Sequence, residues 1–174
     1  MSVTDEAIAR IREMIATGRL VPGDRLPKEA DLAAMLGLSR NSLREAVRAL
    51  SLIHVLDVRQ GDGTYVTSLE PARLLEAVGF MVELRHDSSL LEVFEVRRML
   101  EPAATAKAAE LITAEQLAEL DRQVEQAAVS TSVEELVVCD VEFHRVVVEA
   151  AGNSVLAALL AQLSSPTVRA RIWR

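Results

Sequence analysis

Aromatic side chains make up only 3% of the 174 residues, and there is a single cysteine, Cys139. One cysteine excludes a disulfide within the chain, and its place in an apolar helical run fits a reducing cytoplasm. Few aromatics beside abundant Ala, Leu, Val, Glu and Arg argue for a mainly α protein. No uncharged apolar run approaches the ~20 residues needed to span a bilayer, so no membrane partner is expected. A signal-peptide pattern is also missing, because Asp5 and Glu6 stand where a basic region would be. Nor is there an excess of positive charge, the formal net charge being -7. Residues 1–68 hold nine Lys/Arg against nine Asp/Glu, and residues 69–174 hold ten against seventeen. Any contact with nucleic acid must therefore come from local patches in the first part.

Half of the residues are hydrophobic, enough to bury a core. The most informative stretch runs from Gly37 to Leu50. Ser39 is a good N-cap, and Leu43, Val47 and Leu50 follow at helical spacing as an inward stripe. Arg40, Asn41, Ser42, Arg44 and Arg48 remain on the opposite face and the exposed end, where guanidinium forks and small polar groups suit a major groove. By itself such a face also fits a solvated surface helix.

The flanks decide between these. Thr4 is placed to cap a first helix whose apolar face is Ala7, Ile8, Ile11, Met14 and Ile15. Pro22-Gly23 makes a turn, Pro27 suits the first position of a second helix, and Leu32, Ala33 and Leu36 give that helix a buried side. Gly37 can take the positive φ that stops it. Helix, tight glycine turn, helix is the helix-turn-helix plan. After Leu50 the period changes from 3.6 to 2. Val55, Leu56 and Val58 read as a strand, Gly61-Asp62-Gly63 as a turn, and Thr64–Thr67 as the returning strand, with Arg59 and Gln60 at the tip of this wing.

Pro22-Gly23, Leu26–Glu29, Asp31–Ala33, Leu38–Arg40, Leu43–Ala46, Leu50 and Gly61–Val66 together resemble the N-terminal signature of GntR-type transcriptional regulators. The resemblance implies that Arg40 and Arg44 touch an operator, that Ser39, Asn41 and Ser42 hold phosphates or base edges, and that Gly61 lets the wing approach the minor groove. Arg48, Arg59, Gln60 and Gly63 complete the candidate DNA contacts. Ala30 stands where relatives of the FadR type often carry a DNA-contacting arginine, and His54 where a glycine usually ends the recognition helix. For His54, a helix C-terminal residue suited to the dipole is the reading its position favours.

Residues 1–68 form the expected winged helix-turn-helix domain, 69–71 a linker, and 72–174 an all-α domain. Helices are expected near 72–85, 89–111, 114–129 and 132–151, with another begun at Ser154. Start signals are Asp87-Ser88-Ser89, Thr113–Gln116 as a near capping box, and Thr131-Ser132. On the fourth of these helices Asp140 and His144 are four apart and share a face with Val137, Val141, Val148 and Ala151. A carboxylate and an imidazole there either pair with each other or supply two metal ligands. Arg97 and Glu101, likewise four apart, are either a helix ion pair or leave Arg97 as the anchor of a carboxylate ligand.

Val96–Pro102, Asp140–His144 and Ala150–Asn153 resemble the ligand-sensing domain of the FadR subgroup of GntR regulators. That resemblance implies that Asp140 and His144 join two histidines from later helices around a divalent metal such as zinc, and that an arginine on an earlier helix helps hold a carboxylate effector. It also implies two helices beyond Trp173-Arg174, so that residues 72–174 would be incomplete relative to the family. His54 and His86 do not match the missing positions.

The expected function is that of a non-enzymatic, sequence-specific transcriptional regulator, a homodimeric repressor released from a short palindromic operator by a small carboxylate. One alternative is a helical interaction or dimerisation protein that has lost effector sensing. Another is a metal-dependent enzyme using Asp140 and His144, although catalytic metal sites need about three protein ligands.

Overall fold

The first helix, α1 (Val3–Ala16), is capped by Ser2 rather than by Thr4. Ser2 Oγ accepts the Asp5 amide at 3.1 Å, and Asp5 Oδ2 accepts the Ser2 amide at 2.7 Å. This reciprocal box satisfies two orphan donors at once and starts the helix two residues earlier than Thr4 would. The computed structural model describes residues 2–84 and 88–172, with side chains described except at 83, 88, 89 and 165–172. The chain divides into two compact units, Met1–Leu74 and Leu75–Arg174.

In the first unit, α2 spans Glu29–Leu36 and α3 spans Arg40–Leu52. Pro27 is not the first residue of α2: Lys28 is its N-cap, without a side-chain cap bond, and Glu29 and Asp31 in the first turn complement the helix dipole. Gly37 at φ 68° ends α2, and the Leu38 amide reaches back to the Ala33 carbonyl at 3.0 Å. Two residues later Ser39 caps α3, its hydroxyl accepting the Ser42 amide at 3.1 Å. Leu43, Ala46 and Leu50 turn inward from α3, with Val47 half-buried beside them. They pack with Ala7 and Ile11 of α1, Leu20, Leu26, Leu32, Leu56 and Val66. Ile11, Leu32, Leu43, Leu50 and Val66 are almost wholly buried, each contributing about 1.5–3 kcal/mol.

The wing is β1 (Leu56–Arg59) paired antiparallel with β2 (Gly63–Val66), in the register Leu56 opposite Val66 and Arg59 opposite Gly63. The returning strand thus begins at Gly63 and stops before Thr67, whose hydroxyl bonds the His54 carbonyl at 2.7 Å. His54 does not close the helix, because α3 ends at Leu52 with Ile53 as C-cap. It lies beyond, at φ 57°, in the left-handed conformation that a glycine adopts without strain.

The helix expected over residues 72–85 is broken at Leu75 into α4 (Pro71–Leu74), in the first unit, and α5 (Glu76–Leu84), in the second. α6 (Ser88–Leu111), α7 (Ala114–Val129), α8 (Val133–Ala150) and α9 (Ser154–Ile172) follow. Asp87 lies outside the described residues. Thr113 and Gln116 form the capping box expected for α7, and Ser132 caps α8. Ala104 and Ala108 of α6 are small enough to let Val147 and Val148 of α8, Ala151 at its C-cap and Leu160 of α9 close around them. A smaller cluster joins Val82 of α5, Val93 of α6 and Leu163 of α9. The chain is therefore mainly α, with a two-stranded wing behind the helix-turn-helix.

Candidate nucleic-acid interface

The exposed end of α3 gathers most of the residues expected to meet DNA. Its Ser39 cap leaves Arg40 and Asn41 exposed in the first turn, with Arg44 and Arg48 one and two turns on. Ser42 is half-buried, and its hydroxyl lies 2.9 Å from that of Ser39. The arginines further along the helix are already partnered. Arg44 Nη2 is 2.8 Å from Glu29 Oε1 of α2, and Arg48 Nη1 is 3.0 Å from Glu45 Oε1. At side-chain exposures of 54% and 69% both guanidinium groups remain accessible. Exposed pairs of this kind are worth about 0–1 kcal/mol and exchange readily for a phosphate or a base edge.

In the wing, Gln60 and Gly61 occupy the turn, Gly61 at φ 78°. Arg59 lies at the end of β1. Its Nε donates to Asp57 Oδ2 at 3.0 Å, and its guanidinium sits 4.2 Å from the centre of the Tyr65 ring. The hydrogen bond to Asp57 raises the Arg59 pKa. Tyr65 donates its hydroxyl to Asp62 Oδ2 at 2.9 Å, and this bond, followed by desolvation, raises the phenol above its ordinary value. Gly63 is packed against Arg25. Arg25, Glu29, Asp62 and Tyr65 were given no role in DNA contact from the sequence. Their partners lie 37, 15 and 3 residues away, and the two long separations leave no local signal.

The second unit holds the other candidates. Arg97 of α6 is buried, its Nη2 2.6 Å from Glu101 Oε1 and its Nε 2.7 Å from the same oxygen. This is not the exposed helix pair considered from sequence, because a guanidinium taken out of water must be matched by fixed acceptors. Asp140 and His144 of α8 are each about one-third exposed, with Oδ1 and Nε2 3.7 Å apart, and the His144 ring meets Phe143 edge-on at 5.8 Å. They share a face as expected but are not enclosed in the apolar stripe. Among the described residues no group of three or more His, Cys, Asp or Glu gathers as a metal site. The pair alone supplies two donors where a stable site needs about three or four. His86 lies outside the described residues.

Residues 3–66 match the family described as bacterial regulatory proteins, gntR family, and residues 92–174 match the FCD domain. The chain is 31% identical over 162 residues to the uncharacterized HTH-type transcriptional regulator YcbG of Bacillus subtilis, covering 93% of this chain and 67% of that protein. The chain belongs to the GntR family. Its FCD domain fits the FadR subgroup. This GntR protein is also 29% identical over 169 residues to the galactonate operon transcriptional repressor of Escherichia coli, covering 95% of this chain and 74% of that one. Among solved structures, Streptococcus agalactiae GntR matches at a TM-score of 0.64 and 29% identity, covering 97% of this chain and 85% of that chain. The GntR chain is thus a DNA-binding transcriptional regulator with a domain of the ligand-sensing type. Among its described residues, no helix is long and apolar enough to cross a membrane.

Proposed function

We propose that two copies of this GntR regulator read a short palindromic operator as a repressor in the cytoplasm, and that a small carboxylate releases them. The observation that carries the reading is the capped α3, with Arg40 and Asn41 exposed at its N-terminal end and a paired wing following it. A recognition helix inserts that end into the major groove, and two of them one helical turn apart impose a twofold operator. Phe80 and Leu84 of α5 and Leu91 and Met99 of α6 are all more than half exposed, which supports a homodimer built through the second unit.

The effector reading rests on Arg97. A buried guanidinium beside Glu101 is suited to a bidentate carboxylate, the class to which the galactonate in the name of one relative belongs. The ligand must bind one arrangement of the dimer more tightly than the other to change DNA affinity. Asp140 and His144 do not complete a metal site by themselves, so no step is assigned to a metal.

Selection from a pool of random duplexes tests the reading. A palindrome enriched by the unaltered chain and lost with Arg40→Ala or Arg44→Ala supports it, each arginine being worth ~1–3 kcal/mol if bidentate to guanine. Weak, sequence-blind, strongly salt-dependent binding by the unaltered chain rejects it.

A further inference from the structure

The wing is braced by a side chain from outside the hairpin. The loop between α1 and α2 runs beside β2 as a third edge: the Gly23 amide donates to Val66 O at 2.9 Å, the Val66 amide to Asp24 O at 2.9 Å, and the Leu26 amide to Thr64 O at 2.8 Å. Arg25, bridged at the backbone to Tyr65, sends its guanidinium from this edge across the turn. Its Nη2 donates to the main-chain carbonyl of Asp62, and its Nη1 lies 3.9 Å from Asp62 Oδ1. The other carboxylate oxygen of Asp62 accepts the Tyr65 hydroxyl.

Gly63 completes the contact. A Cβ at this position would stand 2.5 Å from Arg25 Nε and 3.1 Å from Cζ. Gly63 does not have a positive φ, so what it supplies is room for the guanidinium rather than backbone freedom. Gly61 in the same turn, at φ 78° and with nothing close to it, does the reverse.

We propose that Arg25 is a positioning residue for DNA binding, which acts through Asp62 and Gly63 to fix the angle at which the wing tip, with Arg59 and Gln60, meets the duplex. The proposal rests on the reading of the wing as a DNA contact. A two-stranded hairpin alone is marginally stable, so the direction of its tip depends on what braces it from outside. Two nitrogens of the Arg25 fork face Asp62, and one of them donates to its main-chain carbonyl, a tie to the backbone of the turn that the exposed carboxylate pairs of Arg44 and Arg48 do not have.

The test uses the full chain and the duplex it enriches from a random pool, with binding read by fluorescence anisotropy across a salt series. Arg25→Ala and Gly63→Ala are each expected to weaken binding about tenfold while the slope of log affinity against log salt stays unchanged. The double variant binds no more weakly than the worse single one, because either change removes the same brace. Arg25→Lys recovers only part of the loss, since an ammonium does not span a carbonyl and a carboxylate with one planar fork. Amide exchange in Arg25→Ala quickens at Asp62 and Gly63 and is unchanged in α3. Should Arg25→Ala fail to fold, Gly63→Ala and Arg25→Lys carry the same test. A slope reduced by about one would make Arg25 a direct phosphate contact and overturn the proposal. Additive losses, or full affinity in Arg25→Ala, would also overturn it. If the paired change Arg59→Ala and Gln60→Ala leaves affinity intact while Arg40→Ala destroys it, the wing reading itself falls. If the wing-tip variant loses affinity and Arg25→Ala does not, only the role of Arg25 falls.

Discussion

Glu29 in the first turn of α2 holds Arg44 of α3, with Oε1 2.8 Å from Nη2 and Oε2 3.4 Å from Nε. The acid spans the two helices of the helix-turn-helix and presents an expected base-reading guanidinium in one orientation. It also sets a negative charge beside the surface proposed to face phosphates. Replacing it separates these two effects. Glu29→Gln is expected to strengthen non-specific duplex binding through reduced repulsion, and to lower the ratio of specific to non-specific affinity because Arg44 loses its orienting partner. Competition binding against unrelated duplex measures both. Unchanged specificity would show that Glu29 does not orient Arg44. The effect on folding stability stays within about 1 kcal/mol, as for other exposed pairs.

His54 occupies a left-handed backbone position at φ 57°. A side chain there costs roughly 1–2 kcal/mol relative to glycine, and part of the relief on substitution is offset by the greater freedom of the unfolded chain. His54→Gly should therefore stabilise the first unit by about 0.5–1 kcal/mol, read from the midpoint of urea unfolding at an unchanged m-value. A loss of stability would mean that the imidazole contributes more by its contacts than the backbone loses by strain.

Acid should weaken the second unit. The amide of Thr131, 2.9 Å from Glu135 Oε2, holds the Glu135 carboxyl below the ordinary glutamate range. Glu119 is lowered first by Gln123 and then by Arg122, and Glu142 by Arg145. A carboxylate with a lowered pKa in the folded chain contributes stability above its unfolded value, and that contribution is lost as pH falls through the folded value. The melting temperature should therefore decline as pH falls below about 4.5, and Glu135→Gln should flatten the decline. A melting temperature equally steep in pH for the variant would remove Glu135 from the account.

Arg97 allows stability and sensing to be tested apart. Arg97→Met keeps the apolar stem and leaves Glu101, which is partly exposed, able to take water or a proton. The variant should fold, bind the selected operator and no longer respond to carboxylates that release the unaltered chain. Release by the same carboxylates in both proteins would place the effector elsewhere.

Local chemistry made much of this fold legible in advance. Ser39 before Leu43, Gly37 after Leu36, and Thr113 ahead of Gln116 act within one helical turn, so residue order alone carries them. The change of period after Leu50 marked the wing for the same reason, because alternation is a property of neighbours. Boundaries were less secure where two local solutions compete. Ser2 displaced Thr4 as a cap because Asp5 completes its box, and the helix anticipated from 72 to 85 breaks at Leu75.

Residue order was enough to specify a winged helix-turn-helix followed by a helical domain, since caps, turns and periodicity act over a few residues. Which distant charges meet was left to the packing of the elements. Arg25 reaches Asp62 across 37 positions, and Glu29 reaches Arg44 across 15. Burial was equally out of reach, for a helical spacing of four describes Arg97–Glu101 and Asp140–His144 alike, yet packing buries Arg97 and leaves the Asp140–His144 pair about one-third exposed. The physical reason is that side-chain exposure depends on what other elements pack against a helix face, and periodicity reports only that the face exists.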